Sequence, residues 1–125
     1  MGKRYLMDTN MIVDFSAHKL TGKIRDVVKN CIDDYPQISI VTKIELLVFS
    51  EISNKVIQWI NSASIIGLTD EVVEKTIQIR KAYRLQLPDA IIAATAIVTK
   101  STLITRNISD FRKVKELNVF DFYSE

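Results

Sequence analysis

The stretch that decides the fold is Leu87-Pro88-Asp89-Ala90-Ile91-Ile92-Ala93-Ala94-Thr95-Ala96-Ile97-Val98-Thr99-Lys100-Ser101-Thr102-Leu103-Ile104-Thr105. Pro88 suits a first helical turn, where its missing N–H has no partner to lose. The helix it opens, Asp89 to Lys100, is small or apolar on nearly every side, and a helix apolar around most of its girth is buried. Thr102 to Thr105 then reads as a strand. One buried helix feeding one strand is a unit of an α/β fold, provided the alternation continues on either side.

It does. Upstream, Asp70 to about Arg84 reads as a helix with Val73, Ile77 and Arg80 on one stripe, and Ile65-Ile66-Gly67-Leu68 as a strand. Ser53 to about Ser62 is a further helix, carrying Val56, Ile57, Trp59 and Ile60. Thr42-Lys43-Ile44-Glu45 has the form of a capping box and predicts a helix start at Thr42, directly after a strand at Ile38–Val41 rich in β-branched residues. Leu20, Ile24, Val27, Val28, Cys31 and Ile32 form an amphipathic stripe that Pro36 terminates. Thr9 to about His18 is helical, and residues 3–7 are a strand running into Asp8. Downstream, Asn107 to Lys115 holds a short helix or turn, and Val119-Phe120 a last strand. The prediction is an α/β/α fold: a mainly parallel sheet of four to five strands flanked by helices, in one domain over residues 1–125.

With 125 residues the chain has enough length for a core without staples. Its 47% hydrophobic and 26% charged residues are ordinary for a globular protein and argue against disorder. The lone cysteine, Cys31, excludes a disulfide scaffold and a Cys-rich zinc module, and fits a reducing, cytoplasmic setting. No apolar run reaches the ~18 residues of a membrane span, and the N-terminal residues do not read as a signal peptide. The single His18 builds neither a zinc site nor a general-base relay; it reads as a solvent-facing residue near a helix end.

Four acids stand just past strands or at helix starts: Asp8, Glu45, Asp89 and Asp110. Each has a local use. Asp8 suits an N-cap, Glu45 the capping box, Asp89 the dipole of its helix, and Asp110 a solvated turn. In a parallel sheet, however, the carboxyl ends of the strands share one edge, where ligands bind. Carboxylates gathered there repel one another and raise each other's pKa unless a cation lies between them. Oxygen donors in that number suit Mg²⁺ or Mn²⁺ rather than zinc.

Leu6-Met7-Asp8-Thr9-Asn10, Thr42-Lys43-Ile44-Glu45-Leu46-Leu47, Leu87-Pro88-Asp89-Ala90-Ile91-Ile92-Ala93-Ala94-Thr95-Ala96 and Thr105-Arg106-Asn107-Ile108-Ser109-Asp110-Phe111 together resemble the PIN domain, and more closely the VapC-type toxins of toxin–antitoxin pairs. The order and spacing of all four motifs agree over nearly the whole chain. The resemblance implies a PIN-like fold and a metal-dependent ribonuclease in which Asp8, Glu45, Asp89 and Asp110 are the catalytic, Mg²⁺-binding acids. In relatives the last acid also occurs directly after the threonine–arginine pair. That place is Asn107 here, whose amide oxygen is an alternative ligand. Asn10 and Thr105 are the supporting polar groups. The resemblance further implies a homodimer and a small antitoxin protein that covers the active site. Ile44, Leu46, Leu47, Val48, Phe49 and Ile52 make their helix apolar on more than one face, which suits either a partner or full burial in the core.

For an RNA substrate, Arg106 is the expected phosphate contact, because its planar fork matches phosphate oxygens. Arg80, Lys81 and Arg84 are a second basic group; they also complement the dipole of a helix that starts with Asp70, Glu71 and Glu74. Two other classes compete. A receiver-like phosphoryl-accepting domain gathers acids at the same edge, but needs an acceptor Asp where this chain has Val41-Thr42-Lys43. A catalytically inactive PIN-fold binding module would show replaced acids, and none is replaced. The formal charge of +2 conceals the distribution: without the four clustered acids, 17 basic residues face 11 acidic ones. A cation-loaded site on such a surface suits RNA.

Overall fold

The computed structural model describes residues 3–121, in which five short strands and seven helices alternate. In chain order these are β1 (Tyr5–Met7), α1 (Thr9–Ser16), α2 (Gly22–Asp34), β2 (Gln37–Ser39), α3 (Ile40–Val48), α4 (Asn54–Ser62), β3 (Ser64–Ile66), α5 (Asp70–Ala82), α6 (Leu87–Val98), β4 (Thr102–Ile104), α7 (Ile108–Phe111) and β5 (Asn118–Val119). Every strand pairing is parallel: Tyr5 aligns with Thr102, Thr102 with Asn118, and Gln37 with Ser64.

The backbone ladders close into two groups, β1-β4-β5 and β2-β3, rather than one continuous sheet. What joins them is a buried side chain. Gln37 Nε2 donates to the Tyr5 carbonyl at 3.1 Å and to Ser101 Oγ at 3.0 Å, and Gln37 Oε1 accepts from Arg4 Nη2 at 3.1 Å. The start of β2 therefore meets the start of β1. Past their other ends, the hydroxyls of Thr9 and Thr42 are hydrogen-bonded to each other, so the two groups run the same way.

Alternation along the strands distributes the core onto both faces. Leu6 and Leu103 pack on one side with Val72, Ile79, Ala90, Ala93, Phe111 and Val114. Met7 and Ile104 pack on the other with Met11, Ile12, Val28, Ile38, Leu46 and Ile60. This is the predicted α/β/α layering. Helix α6 is buried as expected, through Ala90, Ile92, Ala93, Ala94, Thr95 and Ala96.

Several local expectations are corrected. Helix α3 starts at Ile40, and Ser39 is its N-cap, with its hydroxyl accepting from Val41 N–H. The capping box expected at Thr42 does not form: Thr42 is fully buried inside the helix and its hydroxyl turns to Thr9. The strand before it accordingly ends at Ser39. On α5 the buried row is Val72, Thr76 and Ile79; Val73 and Ile77 face outward, as does Arg80. Both rows share one spacing. The inner one tolerates a threonine because Thr76 Oγ1 donates to the Val72 carbonyl at 2.7 Å. Of the apolar residues on α3, only Leu46 is buried, while Ile44, Leu47 and Val48 are exposed, as is Phe49 beyond its end. Full burial of that helix is thus excluded. His18 is exposed in the left-handed region, at φ 58°, just past α1.

Candidate active site

Asp8 closes β1 and opens α1. Its N–H continues the parallel pairing by donating to the Ile104 carbonyl at 2.9 Å, and its own carbonyl accepts from Met11 at 3.1 Å as the helix begins. Its side chain is the N-cap: Oδ1 accepts from Thr9 N–H at 2.8 Å. Oδ2 accepts from Thr105 Oγ1 at 2.7 Å and from Asn10 Nδ2 at 3.3 Å. The two residues expected as supporting polar groups therefore both touch Asp8. Thr105 is fully buried at the end of β4 and in turn accepts from Asn107 N–H at 3.1 Å.

The other acids arrive from separate elements. Asp89 is half-buried in the first turn of α6. Glu45 is exposed in the second turn of α3, where its Oε1 accepts from Thr9 Oγ1. Asp110 is exposed in α7. Their charges act on one another. Burial pushes the Asp8 carboxyl above its ordinary value, against the lowering effect of the Thr105 and Thr9 hydrogen bonds, and the negative charges of Asp89 and Glu45 push it further. Asp89 is raised by burial, then by Glu45 and Asp110. At the carboxyl edge of β1 and β4, Asp8 is thus within reach of the charges of Asp89 and Glu45, and Asp89 within reach of those of Glu45 and Asp110. At the fourth position, the Asp110 charge is one of those acting on Asp89.

The donor set is oxygen only, which fits a hard divalent cation and not zinc. As the side chains stand, no three His, Cys, Asp or Glu residues among those described close into a metal-holding group. Asp8 is held by three hydrogen bonds, whereas Glu45 and Asp110 are exposed side chains with room to turn.

The arginines divide. Arg106 is next to Thr105 and mostly exposed; its Nη1 pairs with Asp14 Oδ2 at 2.7 Å. Arg80 Nη1 donates to the Leu85 carbonyl at 2.6 Å and so braces the turn into α6, and Arg84 is exposed nearby. Sequence reasoning missed Asp14 and the bridging hydroxyls of Thr9 and Thr42. The only available signal for Asp14 was that it stands one helical turn from Asn10. A cavity of about 650 Å³ opens at the opposite ends of the strands, beside Tyr5, Gln37 and Ser64, and its lining includes a single acid, Asp34. No helix among the described residues is long and apolar enough to cross a membrane.

A family model described as the PIN domain matches residues 5–117. No curated protein matches the chain in sequence. Among solved structures, a chain of a toxin-antitoxin complex from Klebsiella pneumoniae is 30% identical, with a TM-score of 0.70 over 90% of this chain and 94% of that one. A chain of DNA-bound VapBC from Salmonella typhimurium is 21% identical, with a TM-score of 0.75 over 96% of this chain and 98% of that one. A chain of FitAcB from Neisseria gonorrhoeae is 22% identical, with a TM-score of 0.70 over 97% of this chain and 99% of that one. At those lower identities the last two likenesses show a shared fold.

Proposed function

The chain belongs to the PIN domain family, and from that premise we propose that it is a Mg²⁺-dependent endoribonuclease, the toxin of a type II toxin–antitoxin pair. The observation that carries the reading is the placement of Asp8, Glu45, Asp89 and Asp110 near one strand edge, where the charges of Asp89 and Glu45 add to the burial that raises Asp8, and those of Glu45 and Asp110 to the burial that raises Asp89. The toxin role draws on the Klebsiella pneumoniae relative, which is part of a toxin-antitoxin complex. The family match leaves the phosphoryl-accepting alternative without support.

Asp8 and Asp89 would hold the principal Mg²⁺, with Mn²⁺ as a substitute, and Glu45 and Asp110 would complete the set. When bound, such a cation makes a coordinated water more acidic and stabilises charge on phosphate oxygens. The protein's own part is positional. Thr105, Thr9 and Asn10 fix both oxygens of Asp8. Glu45 lies exposed, where it can take a proton from an attacking water. Arg106 offers a planar donor fork to a substrate phosphate beside the acids. The partners are an RNA, a small antitoxin protein over the acidic edge, and a second copy of the chain on the exposed apolar side of α3.

The test is cleavage of single-stranded RNA by the purified protein with Mg²⁺ or Mn²⁺, stopped by EDTA. Asp8→Asn and Asp89→Asn should each abolish it. If either variant cuts as fast as the wild type, the site assignment is wrong.

A further inference from the structure

Arg106 is held at two points by a single helix. Its backbone N–H donates to Asn10 Oδ1 at 3.1 Å, and its Nη1 to Asp14 Oδ2 at 2.7 Å. Asn10 and Asp14 stand one turn apart on α1, the helix that Asp8 caps. The other polar end of Asn10 donates to Asp8 Oδ2. Arg106 is therefore referenced, through both main chain and side chain, to the best-anchored acid of the site.

The pair is lopsided. The Asp14 side chain is 10% accessible and that of Arg106 59%. A guanidinium has five N–H donors, and a single one is committed to Asp14. An isolated pair of this kind contributes little stability, because burying the carboxylate costs about what the pairing returns. What it does accomplish is orientation. It removes rotamer freedom from a long side chain on a loop, so that less entropy is lost when that side chain meets a ligand.

Building on the ribonuclease reading above, we propose that Asp14 is a positioning residue: it holds Arg106 at the rim of the acidic site, with its remaining donors aimed at a phosphate of the single-stranded RNA beside the scissile bond. Asp14 itself touches no substrate. It acts on binding through Arg106, and the chemistry belongs to the four acids.

The experiment measures kcat and KM on a fluorescent single-stranded RNA in Mg²⁺, for Asp14→Asn, Arg106→Ala, Arg106→Lys and the Asp14→Asn/Arg106→Ala double variant, with thermal melting alongside. Ordering one such side chain is worth about 0.5–1.5 kcal/mol. Asp14→Asn should therefore raise KM by roughly two- to tenfold while kcat stays within about twofold of wild type. Arg106→Lys keeps a charge for Asp14 but loses the fork; it should raise KM likewise, which keeps the test open if Asp14→Asn folds poorly. The double variant should be no worse than Arg106→Ala alone. A fall in kcat and melting temperature with KM unchanged would make Asp14 merely structural and overturn the inference, as would losses that add in the double variant. Anisotropy of the same RNA separates the two readings. If the wild type binds but does not cut, the nuclease reading fails, and weaker binding by Asp14→Asn still supports the positioning role. If the wild type does not bind, or Asp14→Asn binds equally well, the positioning role is wrong.

Discussion

Thr105 shows what a single hydroxyl does at this site. Its hydrogen bond favours the ionised form of Asp8 and works against burial, which favours the protonated form. Thr105→Val keeps the shape and removes the donor. The Asp8 carboxyl should then rise further, and calorimetric Mg²⁺ affinity at pH 7 should fall by about 10-fold, in line with lost outer-shell contacts. As the pH is lowered, the variant should lose affinity before the wild type does, because its Asp8 protonates first. An affinity unchanged from wild type would detach Thr105 from the site. The four acids stood out in the sequence because each was read as following a strand or opening a helix; the structure sets Glu45 further in, in the second turn of α3. The Asp14–Arg106 pair was not, since it joins residues 92 positions apart that belong to no shared motif.

At the scale of elements, periodicity found every helix and strand but misjudged some of their faces and ends. Two residue rows on α5 have the same spacing, and what distinguishes them is the packing partner, which lies far away in sequence. The start of α3 was misplaced for a related reason: Ser39 and Thr42 both have cap chemistry and both are buried, but the Ser39 hydroxyl accepts from Val41 N–H while that of Thr42 meets Thr9 from another element. That difference is measurable. Ser39→Ala should destabilise the protein by about 1 kcal/mol through loss of the α3 cap, read as a lower urea midpoint at unchanged slope. Glu45→Gln, which would have disrupted a capping box, should leave that midpoint nearly where it is. A large loss from Glu45→Gln would restore the box.

For the molecule as a whole, the sequence reading anticipated the layers but not the break in the sheet. No pattern of apolar residues distinguishes two neighbouring strands joined by backbone bonds from two joined by a glutamine. That break makes a seam. On one side lie β2 and β3, which lead to Glu45; on the other lie β1, β4 and β5, with Asp8 at the end of β1, and Met7, Ile104, Ile38 and Leu46 pack together across it. Across it, Gln37 supplies side-chain bonds where a ladder would have supplied several cooperative backbone ones. Local opening follows the weakest cooperative boundary, so amides of β2 and β3 should exchange with deuterium at a lower free energy than those of β1 and β4, and Gln37→Leu should widen the gap. Uniform exchange across all five strands would mean the seam is only geometric. If it opens, the acidic edge spans two halves able to part, and any ligand that draws the four acids together is also a clasp: its capture and the cohesion of the fold become a single equilibrium.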